Sequence, residues 1–139
     1  MRDQANSLTL RPVIAPAANN NLGTTPLVGT IIDRAGYEAL TYGIITGTLS
    51  DTDATYTVLL EESDASNMSP ANAVADADLI GTEAAAGFIF SDDGVTRKLG
   101  YVGNKRYTRL TITPAAANDG NSPIAAIAIL GRPHEAPVA

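Results

Sequence analysis

Cysteine and tryptophan are absent from the chain, histidine occurs once, and only five tyrosines and two phenylalanines supply aromatic rings. Without cysteine there are no disulfides and no thiolate metal sites, so the fold is expected to hold by packing or by association. Positive charge is scarce as well: nine lysines and arginines face fifteen aspartates and glutamates, and the net charge of −6 argues against nucleic acid as the main partner. No stretch approaches the roughly 20 apolar residues of a membrane span, so no membrane partner is expected. The opening MRDQANSLTLRP holds no apolar run of leader length, which predicts a protein that stays where it is made or leaves inside an assembly.

What the chain does hold is small and β-prone. At 139 residues it suits one domain, long enough to bury about 68–70% of the surface its unfolded form exposes. Alanine, threonine and glycine stand where larger apolar residues are usual, a composition suited to thin sheets and close contacts. LVGTIID and YEALTYGIIT are short runs rich in Val, Ile, Thr and Tyr, separated by the turn-like Asp33 to Gly36. ATYTVLLEE alternates, with Ala54, Tyr56, Val58 and Leu60 on one face and Thr55, Thr57, Leu59 and Glu61 on the other, the pattern of a half-buried strand. Ser63 to Val74 reads as a loop, Leu79-Ile80 and Phe88 to Ser91 as short strands, and Asp92-Asp93-Gly94 as a turn. After the loop PAAANDGNSP, Ile124 to Leu130 is apolar on both faces, as expected of a strand inside a sandwich or under a partner.

The count is about eight short strands with little helix, which predicts an all-β protein: an antiparallel β-sandwich, jelly-roll-like, with an immunoglobulin-like sandwich as the alternative. Residues 1–25 form an expected N-terminal arm, 26–131 the sandwich domain and 132–139 a C-terminal tail. The arm is either a frayed terminus or an extension lying along a neighbouring subunit, anchored by Leu8, Leu10, Val13 and Ile14, with Pro12 and Pro16 flanking the last two.

The most legible stretch is Thr96 to Thr113, TRKLGYVGNKRYTRLTIT. Gly103-Asn104 between two β-rich segments predicts a hairpin that sets Tyr101 across from Arg106 and Lys98 across from Arg109. Five of the nine cations, Arg97, Lys98, Lys105, Arg106 and Arg109, fall here. Like charges across a strand pair are destabilising, so they need anionic neighbours. Together with Tyr107 they read either as a solvated face balanced by acids of the same chain or as a surface for docking another molecule.

Reaction chemistry has few candidates. His134 lies in the proline-flanked RPHEAP, a poor place to preorganise a catalyst. No GxSxG motif accompanies it. The pairs Asp51/Asp53 and Asp76/Asp78 suit turns better than a calcium site, which needs several more oxygens. A glycosidase pair among Glu61, Glu62 and Glu83 has nothing specific behind it. Gly100 to Lys105 lacks the GK[ST] ending of a phosphate loop and opens no helix. No catalytic, cofactor or metal site is expected.

Taken in order, RPVIAPAA, LLEESDASNM, VADADLIGT, RKLGYVGNKRYTRLTIT and the closing AIAILGRP resemble small proteins from the structural modules of tailed bacteriophages and prophages, the capsid decoration or cement proteins. The resemblance spans most of Arg11 to Pro133, and GYVGNKRY, Gly100 to Tyr107, is its most specific part. It implies a jelly-roll-like sandwich without enzymatic activity, assembled in the bacterial host cytoplasm onto the outer surface of a capsid, where it bridges neighbouring major capsid proteins as a homodimer or homotrimer. Other phage structural roles, at a head–tail junction, in a tail or in a fibre, share this class. A carbohydrate-binding β-sandwich module is a further alternative, which needs exposed aromatics on one sheet face.

Overall fold

The structure is a computed structural model that describes residues 3–17, 20–115 and 118–138. A 3-10 turn at Ala5–Ser7 leads into β1 (Leu8–Ile14). There follow β2 (Leu27–Val28), β3 (Ile32–Asp33), β4 (Tyr37–Thr46), β5 (Thr55–Ser63), β6 (Asn72–Ala73), β7 (Leu79–Ile80), the one-turn helix α1 (Glu83–Ala86), β8 (Phe88–Ile89), β9 (Thr96–Tyr101), β10 (Tyr107–Ala115) and β11 (Ile124–Pro133).

The strands form two antiparallel sheets, one ordered β1-β11-β4-β9-β7 and the other β2-β10-β5-β6, with β3 also on β10 and β8 also on β5. From β4 onward the long strands alternate between the sheets, and β1 pairs with β11, the connectivity of a jelly roll. The fold is therefore the expected all-β sandwich. Among the described residues no helix is long and apolar enough to cross a membrane.

Alternation places the core. On β5 Tyr56, Val58 and Leu60 are buried, and on β4 Leu40, Tyr42 and Ile44 face them from the other sheet. On β11 Ile124, Ala126, Ala128 and Leu130 point inward, and the two alanines leave room for the rings opposite. Buried hydroxyls find partners across the interior, as burial requires. Tyr42 Oη lies 2.6 Å from Thr108 Oγ1, and Tyr56 Oη 2.6 Å from Ser122 Oγ. Tyr56 also stacks on Phe88, ring centroids 4.8 Å apart. Burial pushes the Tyr42 hydroxyl above its ordinary titration range.

Two expectations need correction. Thr96 to Thr113 is not a hairpin: β9 pairs with β4 and β7, β10 pairs with β5, β2 and β3, and residues 102–106 carry the chain from one sheet to the other. Neither Gly103 nor Asn104 has the positive φ that a tight hairpin turn demands. Gly103 is glycine for space, since a Cβ there would lie 2.5 Å from Tyr101 Oη. The crossover is held from elsewhere in the chain. Arg34 donates from Nη2 to the Gly103 carbonyl at 2.7 Å and from Nε to the Lys105 carbonyl, with its guanidinium 5.0 Å from the centre of the Tyr101 ring.

The second concerns the arm, because Leu8–Ile14 is an edge strand of the sandwich, paired with β11 from Leu8↔Gly131 to Ile14↔Ala126 with a bulge between Pro12 and Ile14. Pro12 is tolerated because an edge strand leaves one row of its N–H groups unpaired in any case. Thr30 Oγ1 donates to the Pro12 carbonyl at 2.6 Å and covers part of that edge. The expected tail is likewise tied down. His134 N donates to Gly36 O and Val138 N to Asn6 O. Residues 1, 2, 18 and 19 of the expected arm, 116 and 117 of the loop after β10, and 139 of the tail lie outside the described residues.

Candidate interaction surface

The cationic stretch does not form one ridge. Arg97 and Lys98 sit on the five-stranded sheet, Tyr107 and Arg109 on the other, and Lys105 and Arg106 in the crossover between them. Lys98 lies across from Gly43, and Arg109 across from Glu61. The expected like-charge facing of Lys98 and Arg109 is thus replaced by opposite-charge pairs. Arg109 makes two contacts to Glu61 Oε2, at 3.0 and 2.8 Å, Arg106 grips Asp33 with two bonds at 2.9 and 2.7 Å, Lys105 meets Asp64 at 2.5 Å and Arg97 meets Asp92 at 3.1 Å.

The hydrogen bond from Arg106 holds the Asp33 carboxyl below its ordinary range, and the same contact raises Arg106. The bond to Asp64 raises Lys105 in the same way. Tyr107 is half-buried, with the Arg106 guanidinium 5.0 Å from its ring centre. Four of the five cations are therefore neutralised within the chain, as the balanced-face reading expects. Lys98 has no ion pair among those found in the described residues.

The apolar arm residues divide. Val13 and Ile14 are buried in the chain's own core, whereas Leu8 and Leu10 project outward. They join a feature that sequence reasoning did not assemble: the outer face of the five-stranded sheet. Leu8 and Leu10 from β1, Ile127 and Ile129 from β11, Ile45 from β4 and Ile80 from β7 share it, with Ala39, Thr41, Gly43, Ala125 and Gly100 between them. Leu10 is 60% exposed, Ile80 62%, Ile45 52% and Ile127 42%. Lys98 is the charged residue in the middle of this face. The outer side of the other sheet is mixed: Thr55, Thr57, Glu61 and Arg109 stand on it together with the exposed Val28, Leu59 and Ile89. One sign of the apolar face was visible in Ile124 to Leu130, where both alternating sets are apolar.

Two shallow grooves mark the face. One, about 440 Å³, is lined by Glu38, Thr41, Ile80, Lys98, Gly100 and Arg132 among others. The second, about 250 Å³, lies over Gly43, Ile45, Ala125 and Ile127. Gly100 is part of the shaping, since a Cβ there would come within 2.9 Å of Ile80 Cβ. Its absence lets β7 lie close beside β9.

Nothing comparable gathers reactive groups. The ring of His134 lies 3.9 Å from Glu38, both exposed. Among the described residues no cluster of three or more His, Asp or Glu could hold a metal ion. Asp51 accepts from Asp119 N at 3.0 Å and lies beside Asp53; hydrogen bonding between the two lowers the Asp51 carboxyl and raises that of Asp53. This is loop-closing work. Glu83, one of the candidate acids, accepts from Leu60 N at 2.7 Å and supports β5. Four of the seven aromatic residues, Tyr42, Tyr56, Tyr101 and Phe88, are buried, so no aromatic platform lines either sheet face.

No family model matches the chain, and no curated protein matches it. Solved structures do. The PBSX exported protein XepA is similar over 100% of this chain and 41% of its own, at 17% identity and a TM-score of 0.56. The chain thus spans about two fifths of XepA's length. A xylan-binding module, CBM15, matches over 96% of this chain and 95% of its own at 12% identity and a TM-score of 0.49, and the SPBc2 prophage-derived protein YomS over 90% and 93% at 11% and 0.40. At 17% identity the likeness to XepA is one of fold alone.

Proposed function

We propose that the protein is a structural component of a tailed-phage particle, without a reaction of its own. It binds the outer surface of the capsid, to the major capsid protein, and stabilises contacts between neighbouring copies of that protein. Assembly takes place in the bacterial host cytoplasm, and the protein acts as a homo-oligomer. The observation that carries this reading is the apolar outer face of the five-stranded sheet. Contiguous apolar patches beyond a few hundred Å² are rare on monomers and mark interaction sites.

Three things support it. The sequence resemblance to capsid decoration proteins runs through most of the chain. The phage-derived neighbour XepA is similar in fold. The described residues include an exposed apolar sheet face. Multivalency suits the role as well, because a shell bound at many equivalent sites needs only a modest contact at each.

The test is reconstitution on purified shells lacking the protein. Expected are saturable binding at a fixed ratio to the major capsid protein, a higher temperature of shell disruption and no turnover of substrate. Occupancy limited to a single ring per particle would move the protein to a head–tail junction, and failure to bind shells would overturn the proposal. A carbohydrate-binding role predicts instead retention on immobilised glycans, which the burial of the aromatic residues argues against.

A further inference from the structure

Glycine weakens the interior of a strand, and where one stands there it often marks the close approach of something else. Of the twelve glycines in the chain, four have positive φ, and six others would bring a Cβ within 3.0 Å of a neighbouring atom. At Gly131 the Cβ would press on Leu8 at 3.2 Å. Gly43 has neither reason. It lies in the interior of β4 without positive φ, and the nearest atom to an added Cβ would be Ile127 Cγ1 at 3.6 Å, an ordinary contact. Nothing inside the molecule requires glycine at this place.

Outside, Gly43 floors the groove of about 250 Å³ that Ile45, Ala125 and Ile127 wall. Resting on the reading of the protein as a capsid-binding component, we propose that this groove seats an apolar side chain from an acidic, extended segment of the major capsid protein. Lys98 meets a carboxylate two residues away on the same segment.

Three observations choose that occupant. The first is size. Small-molecule sites run to about 300–1,000 Å³, so this smaller, mainly apolar groove suits one or two side chains instead. The second is charge. Lys98 lies directly across from Gly43, at the rim of the groove, and has no ion pair among the described residues. The one acid of β4, Glu38, falls with the inward set of Leu40 and Tyr42 and lies 3.9 Å from His134. Covering Lys98 with an uncharged surface would leave a cation without a counter-ion, at substantial cost, so the cover brings a carboxylate. The third is spacing. Residues two apart on an extended segment share a face and lie about 6.6 Å apart, which spans the roughly 4.8 Å from β4 to β9 and leaves the carboxylate within reach of the Lys98 side chain.

The experiment is a binding titration of the purified full chain and its variants on shells lacking it, at several salt concentrations, with thermal melting by circular dichroism to confirm folding. Gly43→Val fills the groove. It should melt at or above the wild-type temperature, because valine favours a strand, yet bind shells about tenfold more weakly. Gly43→Ala, whose added Cβ meets only the 3.6 Å contact, should lose affinity by a smaller factor and decides the same question if valine unfolds the chain. Lys98→Glu should cost about tenfold, and Lys98→Met should bind with less salt dependence than wild type. Leu59→Lys, at an exposed position outside the other sheet, should change nothing.

Wild-type affinity in the folded Gly43 variants or in Lys98→Glu overturns the proposal and leaves the proposed function standing. A loss in Leu59→Lys equal to theirs does the same. A wild-type protein that ignores shells overturns both. Sedimentation covers the other occupant: a dimer of the free protein that Gly43→Val dissolves puts a second copy over Gly43 and overturns the assignment to the capsid protein.

Discussion

Removing one oxygen atom tests the crossover that replaces the expected hairpin. The Tyr101 hydroxyl donates to Glu62 Oε2 at 2.5 Å and accepts from Lys105 N at 3.0 Å, so it ties the end of β9 to β5 and to the loop at once. Tyr101→Phe keeps the buried ring and its contact with Arg34 and loses only these two bonds. Glu62 is half-buried and can rehydrate, so its share is at the low end, about 1 kcal/mol. The part-buried Lys105 N–H loses its acceptor, which adds about 1 kcal/mol more.

Urea unfolding should therefore show a loss of about 2 kcal/mol without a change in m. Asn104→Ala is the control. In a tight hairpin turn with positive φ it would cost about 1 kcal/mol, whereas in the observed crossover, where Asn104 is exposed and its φ is not positive, it should be near neutral. A Tyr101→Phe loss under about 0.5 kcal/mol, or a clear Asn104→Ala penalty, would refute the account of how residues 102–106 are held.

Four further substitutions test other contacts of the fold. Arg109→Ala strands the mostly buried Glu61 and should cost about 1–2 kcal/mol in chemical denaturation, while Arg106→Ala at the exposed Asp33 pair should cost under about 1 kcal/mol and vanish at high salt. Because Asp33 is held below its ordinary 3.8, the stability it contributes is present above that value and is lost as pH falls through the lower folded value; Asp33→Asn should flatten that part of the acid limb in a pH series of melts. Ala128→Leu, at a fully buried position on β11 opposite the second sheet, should overpack the interior and cost about 1–3 kcal/mol by thermal unfolding.

Local patterns were legible where one strand's own alternation decides the outcome. β5 buries the set that its period of two selects, and β11 is apolar on both sides because its two faces do meet different neighbours, the core within and the bare face without. The pairing of β9 and β10 was not legible, because a Gly-Asn between two β-rich segments looks the same whether the chain turns back in one sheet or crosses to the other. The choice rests on Arg34, 69 residues before Gly103, and on Glu62, 39 before Tyr101. No window around the turn contains them. The cationic cluster misled for the same reason: neighbours in sequence are distributed over two sheets, and Asp33, Glu61, Asp64 and Asp92, which neutralise them, come from other elements.

That distribution bears on function. The acids that answer the cations stand on the six-stranded sheet, just after its strand β5 and in the turn before β9, so the five-stranded face is left with little charge. Small residues then serve twice on β11. Ala126 and Ala128, pointing inward, thin the interior so that Tyr42 and its neighbours fit between the sheets, and Ala125, pointing outward beside Gly43, keeps that part of the outer face low. A strand built only to close a core would gain solubility from charged residues at its outward positions. Ala125, Ile127 and Ile129 forgo that gain, so this strand carries apolar surface on the side away from the core as well as towards it.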